Sequence, residues 1–372
     1  MAVFKPFKAV RPVPDKAAEI ASLPYDVMDS DEARLEVKRH PLSFIHVEKP
    51  EVDLPVRTDL YDASVYAKAK ENLYGYITND LMKMDSKPAY YIYKQVMNGR
   101  SQVGLVGLTS VDEYMSGSIK KHELTRAEKE ADRIRHVDTC DAHSSPVFFT
   151  YRHQDVIDNT VNRVMESKTA VYDFVSDDGI EHALWLMDDV TDIEIIAKAF
   201  AAMDYLYVAD GHHRTASAAK VGLVRREQYP NFTGEEEFNF FMAVIFPDNH
   251  LHIFDYNRVV KDLNGNTTEE FMAKVAEQFE ITKIEGLNVF TPDALHSFGM
   301  YIDGVWYKLT AKQGTWEDAN VVQSLDVSIL QSNLLDPILG IKDPRTDKRI
   351  DFVGGIRGLS ELSKRVDSGR EK

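Results

Sequence analysis

The stretch DYLYVADGHHRTASAAKVGLVRREQ, residues 204–228, constrains the fold more than any other. Its apolar, β-branched run LYVA delivers the chain to Asp210 and reads as a strand. Gly211 permits a tight turn or a close backbone approach. From Thr215 to Lys220 the small residues read as helix. Any fold for this chain must therefore hold a strand that turns sharply into a helix N-terminus.

An acid, two adjacent histidines and an arginine crowd that turn, and a structural role needs none of them. Amides around residues 211–215 should lie free there, and with the helix dipole they form an anion site. Arg214 adds a fork suited to phosphate oxygens, and His212 and His213 add donors or proton carriers. Asp210, at a strand end beside a phosphate, suits Mg²⁺. The bland alternative is a capping aspartate with two exposed histidines on a surface turn. An isolated Asp-Gly would favour that alternative; the attached His-His-Arg favours a site.

Composition narrows the partners. At 372 residues and 44% hydrophobic, the chain has material for two domains and a large core. The single cysteine, Cys140, cannot pair within the chain, which suits a reducing compartment. MAVFKPFKAVRPVP lacks the apolar core of a signal peptide, and FFMAVIF is far too short for a membrane span. A cytoplasmic protein with no membrane partner is expected. The net charge of −16 argues against a nucleic-acid partner, because the basic patches IKKHELTR and VGLVRRE are short and flanked by acids.

No repeat, low-complexity tract or long Pro/Gly/Ser linker interrupts the chain. Ser30 before DEARLEVKRH reads as an N-cap, and SVYAKAKENLYGYI as a helix. PAYYIYKQVMNGRSQVGLVGLTSV reads as two strands across an Asn98-Gly99 turn. IKKHELTRAEKEADRIRHVDT is a loop entering a charged helix, with like-charged i,i+4 pairs that give it no support: Glu128 with Asp132, and Lys129 with Arg133. FNFFMAVIF and LHIFDYNRVV are further strands. Past VKDLNGN come the helix EEFMAKVAEQFEI and the Asp-Gly hairpin MYIDGVWYKL. A domain boundary is expected near residue 263, giving domains 1–262 and 263–372.

Zinc is set aside at this level. Adjacent histidines rarely chelate one ion, and HELTR begins like HExxH but has Arg126 where the second ligand belongs. No GxxxxGK[ST] or GxGxxG phosphate loop occurs. Lower-ranked candidates are Tyr25 and Asp26 in LPYDVMD, Asn257 and Arg258 in DYNRVV, and the charged DPRTDKRIDFVGG. His182 and Trp185 alternate as strand packing residues.

GSIKKHELTRAEKEADR, LYVADGHHRTASA, EEFNFFMAVIFPDNHLHIFDYNRVVKDLNG and DPRTDKRIDFVGGIRG resemble the bacterial domain-of-unknown-function 1015 family over nearly the whole chain. Its relatives imply a Pro- and Lys-containing tail past VDSG, where this chain ends in REK. DGHHR before a small-residue helix is also similar, more distantly, to the phosphate-gripping box of the ParB/sulfiredoxin superfamily. Within it, free L-serine kinases are most alike, since they pair such a box with an upstream HE; the KHE at 121–123 matches.

That resemblance implies an α+β fold, a ParB/sulfiredoxin-like mixed-sheet core with a smaller C-terminal α+β domain. It implies a nucleotide-dependent phosphotransferase using ATP or ADP with Mg²⁺ on serine or a similar hydroxy amino acid. Glu123 would be the general base, and Asp210 would assist catalysis or hold the metal. Gly211, His212, His213, Arg214 and Thr215 would hold nucleotide phosphates. Lys121, His122 and Arg126 fall to the substrate, with Lys121 or Arg126 keeping Glu123 ionised or binding a carboxylate. The alternative is a ParB-like nucleotide switch, which keeps Arg214 and needs no Glu123.

Overall fold

The computed structural model describes every residue except Met1, Leu124, Arg126, Leu287, Asn288 and Arg370, and for Ile356 the backbone alone. The chain divides into two compact units, Met1–Leu251 and His252–Lys372. Both mix helices with sheet, so the fold is α+β.

The first unit is built on a mixed nine-stranded sheet. Across it run Ile119–Lys120, Leu206–Asp210, Val147–Tyr151, Phe240–Pro247, Arg100–Ser110, Tyr90–Met97, Glu181–Met187 and Tyr172–Val175. Phe4–Lys5 adds to the Arg100–Ser110 strand. Two pairings are parallel: Leu206–Asp210 with Ile119–Lys120, and Phe240–Pro247 with Val147–Tyr151. Apolar alternation drives the central strands, as in Val147, Phe149 and Tyr151, all buried with Leu206, Val208, Ala243 and Ile245 in one core. The expected hairpin closes through Asn98 and Gly99, both at positive φ, with Met97 opposite Arg100.

Ser30 is not the cap. Asp29 caps Ser30–Arg39, accepting from the Asp31 and Glu32 amides while Glu32 reaches back to the Asp29 amide. A carboxylate one residue upstream completes the reciprocal box that a serine at position 30 could not. The charged helix Ala127–Cys140 forms despite its repulsive surface pairs, because its charges are spent on tertiary partners. Glu130 pairs with Lys220, Arg133 lies 3.7 Å from Glu48, and His136 hydrogen-bonds the Val47 carbonyl at 2.8 Å.

In the second unit, Thr268–Gln278 carries its own capping box from Thr267 and Glu270, and the Asp303-Gly304 turn joins Ser297–Ile302 to Val305–Ala311. The strand Tyr256–Val260, read from sequence as ending the first domain, pairs with Ile350–Gly354 and so belongs with this unit. Among the described residues, no helix is long and apolar enough to cross a membrane.

One buried acid in the first unit makes a pH prediction. Glu113 is 8% exposed and accepts from the Val3 amide at 2.7 Å, yet its second oxygen is buried without a partner among the described residues. Burial pushes its carboxyl from 4.5 up to about 7, against the Val3 hydrogen bond. The folded state then holds the proton more tightly than the unfolded chain. The stability this contributes is complete below about 4.5 and is lost as pH rises through about 7. At about 1.36 kcal/mol per unit, the loss is at most roughly 3 kcal/mol. Glu113→Gln, a mimic of the neutral acid, should raise the thermal midpoint at pH 8 and leave it unchanged at pH 4.5. Equal shifts at both pH values would refute the assignment.

Candidate functional site

The parallel pairing of Leu206–Asp210 with Ile119–Lys120 creates the site. Leu206 lies opposite Ile119 and Tyr207 opposite Lys120, so both strands end at the same sheet edge. The chain leaves one strand as Lys121-His122-Glu123 and the other as Asp210-Gly211-His212. The carboxyl ends of parallel strands are where open sheets bind ligands.

Gly211 adopts φ +84°, and a Cβ placed there would come within 3.2 Å of the Arg214 guanidinium. Only glycine combines that left-handed turn with so close an approach. The helix begins at once, His212–Gln228. Ala216, Ser217, Ala218 and Ala219 are buried, and Ser217 donates to the Glu130 carbonyl at 3.1 Å, fixing this helix against Ala127–Cys140. Further along, a Cβ on Gly222 would meet the Phe238 carbonyl at 2.5 Å. The Thr215 amide is not free as expected, because it donates to the Gly211 carbonyl at 2.9 Å, as does the Thr215 hydroxyl. The helix starts earlier than the sequence reading put it, which moves the open amides to its first turn, residues 212–214.

Arg214 is 13% exposed in its side chain. It donates to Asp210 at 3.0 Å and to the Pro146 carbonyl at 2.9 Å, with Asp26 at 4.0 Å. Its Nε is buried with no partner among the described residues. Asp26 thus reaches the turn, and Tyr25 lies under Arg133 with the guanidinium 4.2 Å from its ring. Asp210 keeps a largely exposed carboxylate.

His212 joins the two motifs. Its Nδ1 lies 3.5 Å from Glu123 Oε2, and its Nε2 accepts from the His122 amide at 3.5 Å. An accepting Nε2 leaves the proton on Nδ1, facing Glu123. Burial, with His122 adding, holds His212 below its ordinary value against the pull of Glu123 and Asp210. The ring is therefore neutral at pH 7. His122 packs edge-on to it at 4.3 Å between centroids.

His122, Glu123 and His212 place three ligand atoms within 4.8 Å of one another. HELTR itself carries Arg126 where a second histidine ligand would stand. The fold supplies one from 90 residues away in His212. Two imidazoles and a carboxylate suit Zn²⁺ or Mn²⁺ better than Mg²⁺, which prefers oxygen.

The remaining candidates divide. The Lys121 ammonium lies over the Tyr114 ring at 4.0 Å, and Arg126 lies outside the described residues. Thr125, not singled out from sequence, donates to Glu130 at 2.7 Å and ties the KHE loop to the charged helix. Burial pushes the Glu130 carboxyl up, but Lys220, Thr125 and His213 outweigh it and hold it below its ordinary value. Asn257 and Arg258 belong to the second unit, where Arg258 lies over Phe352. His182 stacks between Tyr93 and Phe174 in its strand. Glu48, Arg133 and the His143–Ser145 loop carry no signal in the sequence, since a buried charge leaves no mark in a polar stretch.

Fold and site together describe an α+β protein whose polar cluster stands where two parallel strands end. The family described as "Protein of unknown function (DUF1015)" matches residues 4–328. The chain belongs to that family. No curated protein and no solved structure matches it.

Proposed function

We propose that this protein is a nucleotide-dependent phosphotransferase acting on a small hydroxy amino acid, with serine the best candidate. The reading adopts a ParB/sulfiredoxin-like core and a cytoplasmic enzyme using ATP or ADP with Mg²⁺. One observation carries it: Glu123 and the DGHHR turn, 87 residues apart, meet through His212 at 3.5 Å. Phosphoryl transfer asks a protein for positioning and charge neutralisation rather than covalent help. The amides of residues 212–214 and the Arg214 fork would take phosphate oxygens. Asp210, exposed at the strand end, would exchange Arg214 for a phosphate-bound Mg²⁺. Glu123, 61% exposed, is free to accept the proton of a substrate hydroxyl as the bond to phosphorus forms.

A second reading has its own support. Contact with His212 already accounts for Glu123 as the partner that fixes an imidazole tautomer. The protein would then be a nucleotide-binding switch with no base. The two readings separate in one experiment. Nucleotides and amino acids are scanned together by thermal shift, and any pair that stabilises is followed by phosphorus NMR. A new phosphomonoester signal is the expected result; nucleotide binding with no such signal under any amino acid would leave only the switch.

A further inference from the structure

A cavity lies beside the DGHHR turn, walled by Glu48, Arg133, His143, Ser144, Ser145 and Arg214. Its empty volume, open mouth included, is about 380 Å³.

Among the described residues, two atoms in these walls are buried without a hydrogen-bond partner: Glu48 Oε1 and Arg214 Nε. Glu48 is 4% exposed and Arg133 8%. Buried polar groups are nearly always paired, and a charged one left unpaired is costly. Arg133 is engaged by Asp132 at 2.9 Å and by the Tyr25 face, and approaches Glu48 no closer than 3.7 Å. Even with the Ser144 and Ser145 hydroxyls near the Glu48 carboxyl, Glu48 Oε1 lacks a donor and Arg214 Nε an acceptor among the described residues. Inorganic phosphate would satisfy the arginine and be repelled by the glutamate. A simple amine would satisfy the glutamate and leave the arginine.

We infer that this cavity receives the head of a free α-amino acid, its ammonium on Glu48 and its carboxylate on Arg214 Nε, with the Arg214 nitrogen now on Asp210 left for phosphate. One molecule then supplies both missing partners, and its opposite charges match the opposite charges of the walls. The Ser144 and Ser145 hydroxyls lie close enough to Glu48 to act on its carboxyl. Burial pushes that carboxyl up, but His136, Arg133 and the two hydroxyls outweigh it, so Glu48 is ionised at neutral pH. Identifying this amino acid as the phosphate acceptor rests on the phosphotransfer reading. The head-group site itself does not.

The test is calorimetric titration of the full chain with L-serine, with glycerate (the amine replaced by hydroxyl) and with ethanolamine (no carboxylate). Serine should bind one to one, and each analogue at least about tenfold more weakly, because each leaves one wall group unpaired. Glu48→Gln should weaken serine at least about tenfold and leave glycerate unchanged. Analogues binding as well as serine would overturn the inference. So would the absence of binding by serine and every other common amino acid, which would assign the cavity to water alone. The analogue series uses the unaltered protein, so poor folding of the variant cannot obscure the answer. Nucleotide binding without amino-acid binding removes this inference and spares the phosphate site. Serine binding without phosphoryl transfer removes the kinase and spares the cavity.

Discussion

Glu123→Gln is expected to slow phosphoryl transfer by about 10²–10⁴-fold and to leave nucleotide affinity nearly unchanged. The separation follows from where the two groups stand. Glu123 leaves the sheet on the Ile119–Lys120 strand, whereas the phosphate-binding amides belong to the helix that follows Leu206–Asp210. Glutamine keeps the shape and an oxygen facing His212 Nδ1 while losing the basic lone pair. Asp210→Asn should differ, weakening metal-dependent nucleotide binding along with rate, because it removes the anionic oxygen that would hold Mg²⁺. Single-turnover rates with saturating nucleotide, set beside nucleotide affinity, distinguish these outcomes. A silent Glu123→Gln would leave Glu123 as a partner of His212 and nothing more. Loss of activity in that variant with restoration by Zn²⁺ or Mn²⁺ would instead make Glu123 a ligand of the His122–Glu123–His212 cluster.

The local pieces of this site were legible in the sequence because local pieces obey short-range rules. Gly211 between an apolar run and small residues marks a strand-to-helix turn, and the chain makes that turn at φ +84°. Asn98-Gly99 and Asp303-Gly304 announce hairpins through residues that tolerate positive φ, and both form. The meeting of KHE with DGHHR was not legible from spacing. It depends on a two-residue strand, Ile119–Lys120, pairing parallel at the sheet edge, and two residues carry too little pattern to be read. The same limit hid His212 as a neighbour of His122, and so hid the metal-competent cluster.

Buried charge escaped for another reason. Sequence reasoning treats AEKEADRIRH as a solvated face, and by i,i+4 pairing it is a poor one. Its stability comes from Glu48, Lys220 and Val47, which lie far away in the chain. A helix with unfavourable local charge pairs is thus a usable sign of tertiary partners, although it does not name them. Glu48 itself lies in IHVEKP, where nothing distinguishes it from an exposed acid.

Arg214→Ala is expected to abolish nucleotide-induced stabilisation while the free protein stays folded. A nucleotide at a hundred times its dissociation constant stabilises by about 2.7 kcal/mol. In a unit this size that is a rise of roughly 5–10 °C in the thermal midpoint. The variant should show none of it at the same concentration, because the amides of one helix turn hold phosphate weakly without the charged fork. The free protein tolerates the change because, among the described residues, Arg214 makes two hydrogen bonds, one to exposed Asp210 and one to the Pro146 carbonyl. Arg214→Lys should recover only part of the effect, since a point charge cannot bridge two oxygens as a planar fork does. Gly211→Ala attacks the same grip from the backbone, straining φ +84° and pressing a methyl within 3.2–3.3 Å of the guanidinium. Both substitutions should therefore lower affinity through one group, and the double variant should be no weaker than Arg214→Ala alone. Unchanged nucleotide affinity in Arg214→Ala would move the phosphate site off this turn, and with it the reason for reading Glu123 as a base.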